Sequence, residues 1–420
     1  LWVTEAIPLH ATAVVIIGLE IVLISDEAVI STSAGFEAPG YDTFLASLAH
    51  PVLILFLGGF FIAQGAAKFG ADRNLARVML RPFGHSPARI VLGVMLITAG
   101  LSMFMSNTAT TATMMAVMLP VLVGLPEHDR LRTGLALSIP VAANLGGLGT
   151  SVGSPPNAIA LANLVDAGIQ MNFLRWMIAT VPFVLVALVG AWVLLMRLFP
   201  SSGDELRIEI EATFDRSRPA MIFYATALGT VALWLTEPLH GMNANAVGFL
   251  PVVVLLATRV FGVAELHGVQ WHVLWLVAGG IALGSGVGTT GLDSWLIGLV
   301  GGERLPAAVL VSVLGLAAPA LSTIISNSAT ANLLIPIGMT LAISGSVAVD
   351  PVLVAIMIAI GCSLAMALPV STPPNAVAYS TGLVSTRDLA VTGAAIGLAT
   401  WAVVSVVGPP LWRWWGVVGS

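Results

Sequence analysis

The residues best suited to chemistry in this chain are two short polar triplets, Ser106-Asn107-Thr108 and Ser326-Asn327-Ser328, each set inside long apolar sequence. Each has a further serine upstream, Ser102 and Ser322, and each continues Ala-Thr. Each is followed in the chain by a second polar interruption carrying Pro-Pro-Asn-Ala, at 155–158 and 373–376. The two triplets are 220 residues apart, and the two Pro-Pro-Asn interruptions 218 apart, so two related halves each supply one pair of breaks. Carbonyls freed at a helix break, with serine and asparagine oxygens, are hard neutral ligands for a small cation such as sodium. Freed amides and helix N-termini favour an anion. On this chemistry Ser102, Ser106 and Asn107, with carbonyls from the break at Gly153, surround one cation. Ser322, Asn327 and the backbone near Ser371 surround a second, while Thr108, Ser328, Ser154 and Thr372 offer hydroxyls and amides to a solute.

What the breaks lack is equally informative. None contains Lys or Arg, so an anion there is neutralised by co-bound cations and helix dipoles, and its binding depends on the cation. None contains Asp or Glu, which speaks against the usual intramembrane carboxylate proton relay. Glu20 and the paired Glu5 and Glu237 lie toward span ends and read as snorkelling or structural residues. The competing reading of a single Ser-Asn pair is helix-packing glue, since small hydroxyl residues are common between membrane helices. Four breaks at matched offsets favour a site.

The elements that must position these groups follow from composition. Hydrophobic residues make up 57% of the 420 and charged residues only 9%, against roughly a quarter charged in soluble domains. Apolar runs of about 20 residues recur, the length that crosses a hydrocarbon core of about 30 Å. Gly- and Pro-bearing spans without strict alternation indicate helices rather than a barrel, so the expected fold is an all-α polytopic membrane protein. Spans are read at 6–25, 51–69, 88–124, 131–168 and 173–197, then 219–238, 243–261, 272–290, 306–346, 351–384 and 387–411. Segments 88–124 and 306–346 are too long for one crossing and read as re-entrant hairpins with the triplets at their tips, covered by protein or water. Segments 131–168 and 351–384 read as helices broken at GTSVGSPPN and PVSTPPN, because Pro-Pro ends a helical run. The one long hydrophilic connector, 200–217, divides the halves and is expected to form an interfacial or cytoplasmic helix. LWVTE (1–5) matches LWLTE (233–237), yet the apolar lead-in 219–232 has no counterpart before residue 1, so at least one N-terminal span is expected beyond this sequence.

Lys and Arg placement orients the spans. With 68–89, 127–132, 197–218, 259–271 and 385–388 inside, all basic residues except Arg175, Arg304 and Arg413 face the cytoplasm, and the acidic loop 26–50 is external. The first hairpin is then approached from the inside and the second, through 291–305, from the outside. Inverted repeats whose broken helices meet near the midplane are the recurrent design of secondary transporters. Other signals carry less. Cys362 stands alone, which excludes an internal disulfide, and the seven histidines show no metal-ligand spacing. The GxGxxG within 279–291 lies in an apolar span and reads as close helix packing. Trp401, Trp412, Trp414 and Trp415 read as an interfacial belt. No basic tract suggests nucleic acid, and no Ser/His or paired-Asp arrangement suggests an intramembrane enzyme. A passive anion channel is the weaker alternative, since filters are usually rings of subunits about one pore.

These residues resemble the divalent anion–sodium symporters, which carry di- and tricarboxylates or sulfate. The resemblance spans nearly the whole chain: the paired Ser-Asn triplets, the Pro-Pro-Asn breaks and Trp-x-x-Glu-Ala-Ile-Pro at 2–8. It implies a plasma-membrane homodimer with a scaffold and an elevator-type transport domain, made here of about 88–168 and 306–384, within repeats 1–199 and 218–420. It implies about two sodium sites, one from Ser102, Ser106, Asn107 and Gly153 and one from Ser322, the Ile325 carbonyl, Asn327 and Ser371, with no organic cofactor. The substrate would touch Asn107, Thr108, Ser154, Ser326, Asn327, Ser328, Thr372 and Pro373. Where the pattern usually ends in Thr this chain has Ser328, which keeps the hydroxyl and widens the pocket by a methyl. The expected activity is sodium-coupled symport of C4-dicarboxylates such as succinate, with sodium-independent exchange of dicarboxylate or sulfate as the alternative.

Overall fold

The computed structural model describes residues 6–29, 36–203, 205–206, 213–292, 295, 307–343 and 349–419, and every regular element among them is a helix. The first half runs α1 (Leu9–Leu23), α2 (Pro51–Lys68), α3 (Ala71–Leu80), α4 (Pro87–Ser102), α5 (Asn107–Gly124), α6 (Leu131–Gly146), α7 (Pro155–Asp166) and α8 (Phe173–Leu198). The second runs α9 (Arg218–Leu235), α10 (Ala244–Ala257), α11 (Trp271–Thr290), α12 (Ala307–Ile324), α13 (Asn327–Ile343), α14 (Pro351–Ser363), α15 (Pro373–Ser380) and α16 (Thr386–Trp414). Six helices among the described residues are long and apolar enough to cross a membrane.

Both overlong segments fold as helix, tip, helix. The tips are closed by N-caps: Ser106 Oγ accepts from Ala109 N (3.3 Å) and Ser326 Oγ from Ala329 N (3.2 Å), each satisfying one amide of the new first turn. Both Pro-Pro pairs stand in the first turn of a helix, α7 or α15, where proline's missing donor costs nothing. The four breaks therefore fall where the sequence places them. Proline does not always break a span: α8 runs through Pro182 for 26 residues.

The halves are interlocked by exchange. The hairpin α4–α5 packs around α6, and α12–α13 packs around α14. The short helix after each break then crosses to the other half, α7 packing on α13 and α14, and α15 on α5 and α6. Farther out, α1 packs on α11 and α10 on α2, a reciprocal pair of the same kind.

Two polar ends are separated by the length of α8, about 39 Å at 1.5 Å per residue. At one end the basic connectors touch one another. Lys68 Nζ lies 2.6 Å from Glu265 Oε1, Leu206 N donates to His85 O (2.8 Å), Ser202 N to Asp129 Oδ2 (3.2 Å) and Thr133 Oγ1 to Leu383 O (3.1 Å). The Lys68 hydrogen bond holds the Glu265 carboxyl below its ordinary range, but an exposed pair of this kind adds little stability. At the other end Arg175 Nη2 donates to Gly416 O (2.6 Å) and Val417 O (2.9 Å), Phe173 N donates to Glu237 Oε2 (3.4 Å), and Asp350 Oδ2 receives Gly419 N. Both ends of the first hairpin connect to the basic end, through His85 and Asp129. The second hairpin leads on to Asp350 at the opposite end.

One expectation is corrected over the residues described. Residues 200–203, 205–206 and 213–217 of the connector are not helical, and the rest of it lies outside the described residues. Several of its polar groups pair with other segments: besides Leu206 and Ser202, the Thr213 carbonyl accepts from Asn74 Nδ2 (3.0 Å). Of the two roles read for Glu20, the structural one fits: it is buried against α11 beside Gly286, and among the described residues its Oε2 has no hydrogen-bond partner. Glu5 and Arg304 lie outside the described residues.

Candidate functional site

The site is built from eight helix ends. Four helices end at the breaks, α4 at Ser102, α12 at Ile324, α6 at Gly146 and α14 at Ser363, and four begin there, α5, α13, α7 and α15. Unpaired carbonyls gather at the former and unpaired amides at the latter. The region thus offers oxygen ligands for cations and positive dipole ends for an anion without a charged side chain.

In the first half Ser102, fully buried, points its Oγ at Asn107 Oδ1 (2.6 Å) and at Ala143 O (2.8 Å). In the second half Ser322, equally buried, points its Oγ at Asn327 Oδ1 (2.7 Å) and at Cys362 O (2.8 Å). A serine hydroxyl carries one hydrogen, so in each cluster one hydrogen is shared among three converging oxygens. Each cluster therefore keeps oxygen lone pairs that its one hydrogen does not serve, an arrangement that a small cation would fit. The all-oxygen, neutral donor set fits sodium. Gly147 and Gly153 complete the first cluster. A Cβ on Gly147 would sit 2.5 Å from Asn107 Oδ1, and one on Gly153 2.5 Å from the Gly147 carbonyl oxygen. We expect Gly147→Ala to push the Asn107 amide out of register and cut transport by about tenfold or more, the effect of displacing one positioned group; initial-rate uptake by the purified variant checks this.

The break loops are held by the asparagines of Pro-Pro-Asn. Asn157 Nδ2 donates to Gly147 O (2.9 Å) and Thr150 O (2.7 Å). Asn375 Nδ2 donates to Met366 O (2.8 Å) and Leu368 O (3.0 Å). Thr372 Oγ1 caps α15 by accepting from Asn375 N (3.3 Å), and Ser371 Oγ donates to Leu368 O (2.8 Å). Ser154 Oγ lies 3.3 Å from Asn157 Oδ1.

Of the residues expected at the site, Ser102, Asn107, Gly153 and Ser154 gather about the first break. In the second half Ser322 pairs with Asn327, while Ser371 and Thr372 bond within their own break and Thr372 also receives Asn144. Ser106 is occupied as a helix cap and also receives Gln270 Nε2 (3.1 Å); Ser326 caps α13. Ile325 is buried, Thr108 and Ser328 are half-buried in the first turns of α5 and α13, and Pro373 is exposed at the start of α15. The last three are not joined to the clusters by side-chain hydrogen bonds. Sequence reasoning missed Asn144, Ser363, Gln270 and the clamping role of Asn157 and Asn375. For the last two the signal was present in the repeated Pro-Pro-Asn; for Gln270 there was none.

The same architecture recurs in known proteins. The crystal structure of the YdaH transporter of Alcanivorax borkumensis superposes with a TM-score of 0.57 at 14% identity, covering 97% of this chain and 98% of that one. The chain is 29% identical over 448 residues to the sodium-dependent dicarboxylate transporter SdcS of Staphylococcus saprophyticus, covering 97% of this chain and 82% of the relative. It is 27% identical over 454 residues to SdcS of Staphylococcus aureus, with the same coverage. The citrate transporter family, CitMHS, matches residues 1–361. The chain is a multi-pass plasma-membrane transporter belonging to the citrate transporter family, within the divalent anion–sodium symporter group that its Ser-Asn triplets resemble.

Proposed function

We propose that this protein is a sodium-coupled symporter of small divalent anions, with C4-dicarboxylates such as succinate as the preferred substrates. The observation that carries the reading is the twin three-oxygen cluster, each served by one hydroxyl hydrogen, at breaks that contain no basic residue. Sodium relieves the crowded oxygens and presents positive charge to the anion, whose carboxylates then take the amides and hydroxyls at the starts of α5, α7, α13 and α15. Ser102, Ser106, Asn107 and Gly153 hold one ion, and Ser322, Ile325, Asn327 and Ser371 the other. Asn107, Thr108, Ser154, Ser326, Asn327, Ser328, Thr372 and Pro373 face the substrate. Empty clusters bind the anion poorly, and this linkage couples the two fluxes. The relatives named as sodium-dependent dicarboxylate transporters support both substrate class and ion.

The two halves are read as inverted repeats, supported by the first hairpin's attachment to the basic end and the second's to the opposite end. The hairpins, α6, α7, α14 and α15 form the moving body of an elevator, supported by their mutual interlock, and the molecule works as a homodimer. The test is uptake of labelled succinate into proteoliposomes with and without an inward sodium gradient, with citrate and sulfate as competitors. Gradient-dependent uptake inhibited most by C4-dicarboxylates is expected. Uptake that ignores sodium but needs internal dicarboxylate identifies an exchanger instead, and no uptake of any of these anions rejects the reading.

A further inference from the structure

Consecutive residues at the C-terminal ends of α6 and α14 serve different halves of the protein. Ala143 lends its carbonyl to Ser102 of its own hairpin, while its neighbour Asn144 donates through Nδ2 to Thr372 Oγ1 (3.2 Å) and Asn375 Oδ1 (3.3 Å) of the other half's break. Cys362 lends its carbonyl to Ser322 of its own hairpin, while Ser363 Oγ lies 3.1 Å from Ser154 Oγ in the first half's break. Asn144, Ser154, Ser363, Thr372 and Asn375 are all at most 4% exposed.

We propose that Asn144 and Ser363 are positioning residues that couple the two oxygen clusters, so that a cation held in one orders the break beside the other. This rests on the sodium-coupled reading above. The physical route is short. An ion drawing in Ser102 and Asn107 fixes the end of α6 through the Ala143 carbonyl, and Asn144, one peptide further on, cannot stay free. Asn144 then holds Asn375 and Thr372, and Asn375 clamps the Met366 and Leu368 carbonyls of the second break. The reverse path runs Ser322, Cys362, Ser363, Ser154, Asn157, and so to the Gly147 and Thr150 carbonyls. Buried hydrogen-bond networks of this kind are stiff because a broken link strands a polar group away from water. Neither residue touches the substrate or an ion; each acts through the loop it holds.

The experiment is the sodium dependence of succinate uptake by purified protein in proteoliposomes, for wild type, Asn144→Ala, Ser363→Ala and the double variant. Wild type is expected to respond sigmoidally to sodium. In each alanine variant the Hill coefficient should fall toward one and half-saturating sodium rise about three- to tenfold, the fold-change of one buried hydrogen bond, with the rate at saturating sodium largely retained. Asn144→Ser should restore cooperativity, because Ser363 already makes the matching hydroxyl contact from the equivalent place in the other half. Should the alanine variants fail to fold, Ser363→Cys keeps the shape with a weak donor and should show the same fall against Asn144→Ser as control. A wild-type Hill coefficient in the variants, or a loss confined to maximal rate, overturns the coupling and leaves the symport reading intact. Uptake by wild type that is indifferent to sodium overturns both.

Discussion

Asn107→Ala and Asn327→Ala should each reduce sodium-driven dicarboxylate uptake by about 100-fold or more while leaving the protein folded. Each change removes one of three converging oxygens from a cluster and one side chain from the substrate's first turn of amides. Loss of a hydrogen bond to a charged partner costs about 1.5–3 kcal/mol, about tenfold in affinity for each 1.4 kcal/mol, and here ion and anion both lose a contact. The fold should tolerate the change for a specific reason. Ser102 and Ser322 keep their bonds to the Ala143 and Cys362 carbonyls, and the truncated asparagines are only half-buried, so no polar atom is stranded. Uptake rates set against unfolding temperature in the same preparation test this directly. Near wild-type uptake in both variants would place the ions and the substrate elsewhere.

Asn157→Ala and Asn375→Ala should behave in the opposite sense, failing first in stability. Both asparagines are at most 1% exposed and each satisfies two carbonyls of a non-helical loop. Removing the donor leaves the buried Gly147 or Met366 carbonyl without its partner, at about 1–3 kcal/mol, while Thr150 O keeps Gly153 N and Leu368 O keeps Ser371 N and Oγ. We expect about 2 kcal/mol of destabilisation per variant, a clear drop in unfolding temperature in detergent, and weaker sodium binding because the loop carbonyls are no longer aimed. Asn157→Asp and Asn375→Asp are expected to be as damaging as alanine although their shape is nearly the same, since a carboxylate oxygen would then face carbonyl oxygens. Aspartate variants that melt like wild type would show that packing, not hydrogen bonding, holds the breaks.

The contrast between these two predictions shows what kind of information the sequence carries. The triplets and the Pro-Pro pairs were legible because a helix break is a local event: a cap residue, a proline and a polar tip within a few positions determine it. Span positions were legible for the same reason, since about 20 apolar residues are both necessary and nearly sufficient to cross a bilayer. The described residues of the connector, 200–203, 205–206 and 213–217, are not helical because their backbone finds partners in loops far along the chain. Which of its two roles Glu20 takes was not legible, because closeness to a span end says nothing about the helix packed over it, and α11 covers it at Gly286.

By itself, then, the sequence determined that this is an all-helical membrane protein of two related halves, that each half is interrupted twice, and that the interruptions carry neutral oxygen ligands and no basic charge. All of these follow from the chemistry of neighbouring residues. Only the tertiary structure decided that α7 and α15 change sides, that Asn157 and Asn375 hold the loops open, and that Asn144 and Ser363 tie one half's helix to the other half's break. Those contacts join residues as far as 231 positions apart. A buried donor chooses its acceptor by distance and direction in three dimensions, and residue type alone does not say which carbonyl will be within reach.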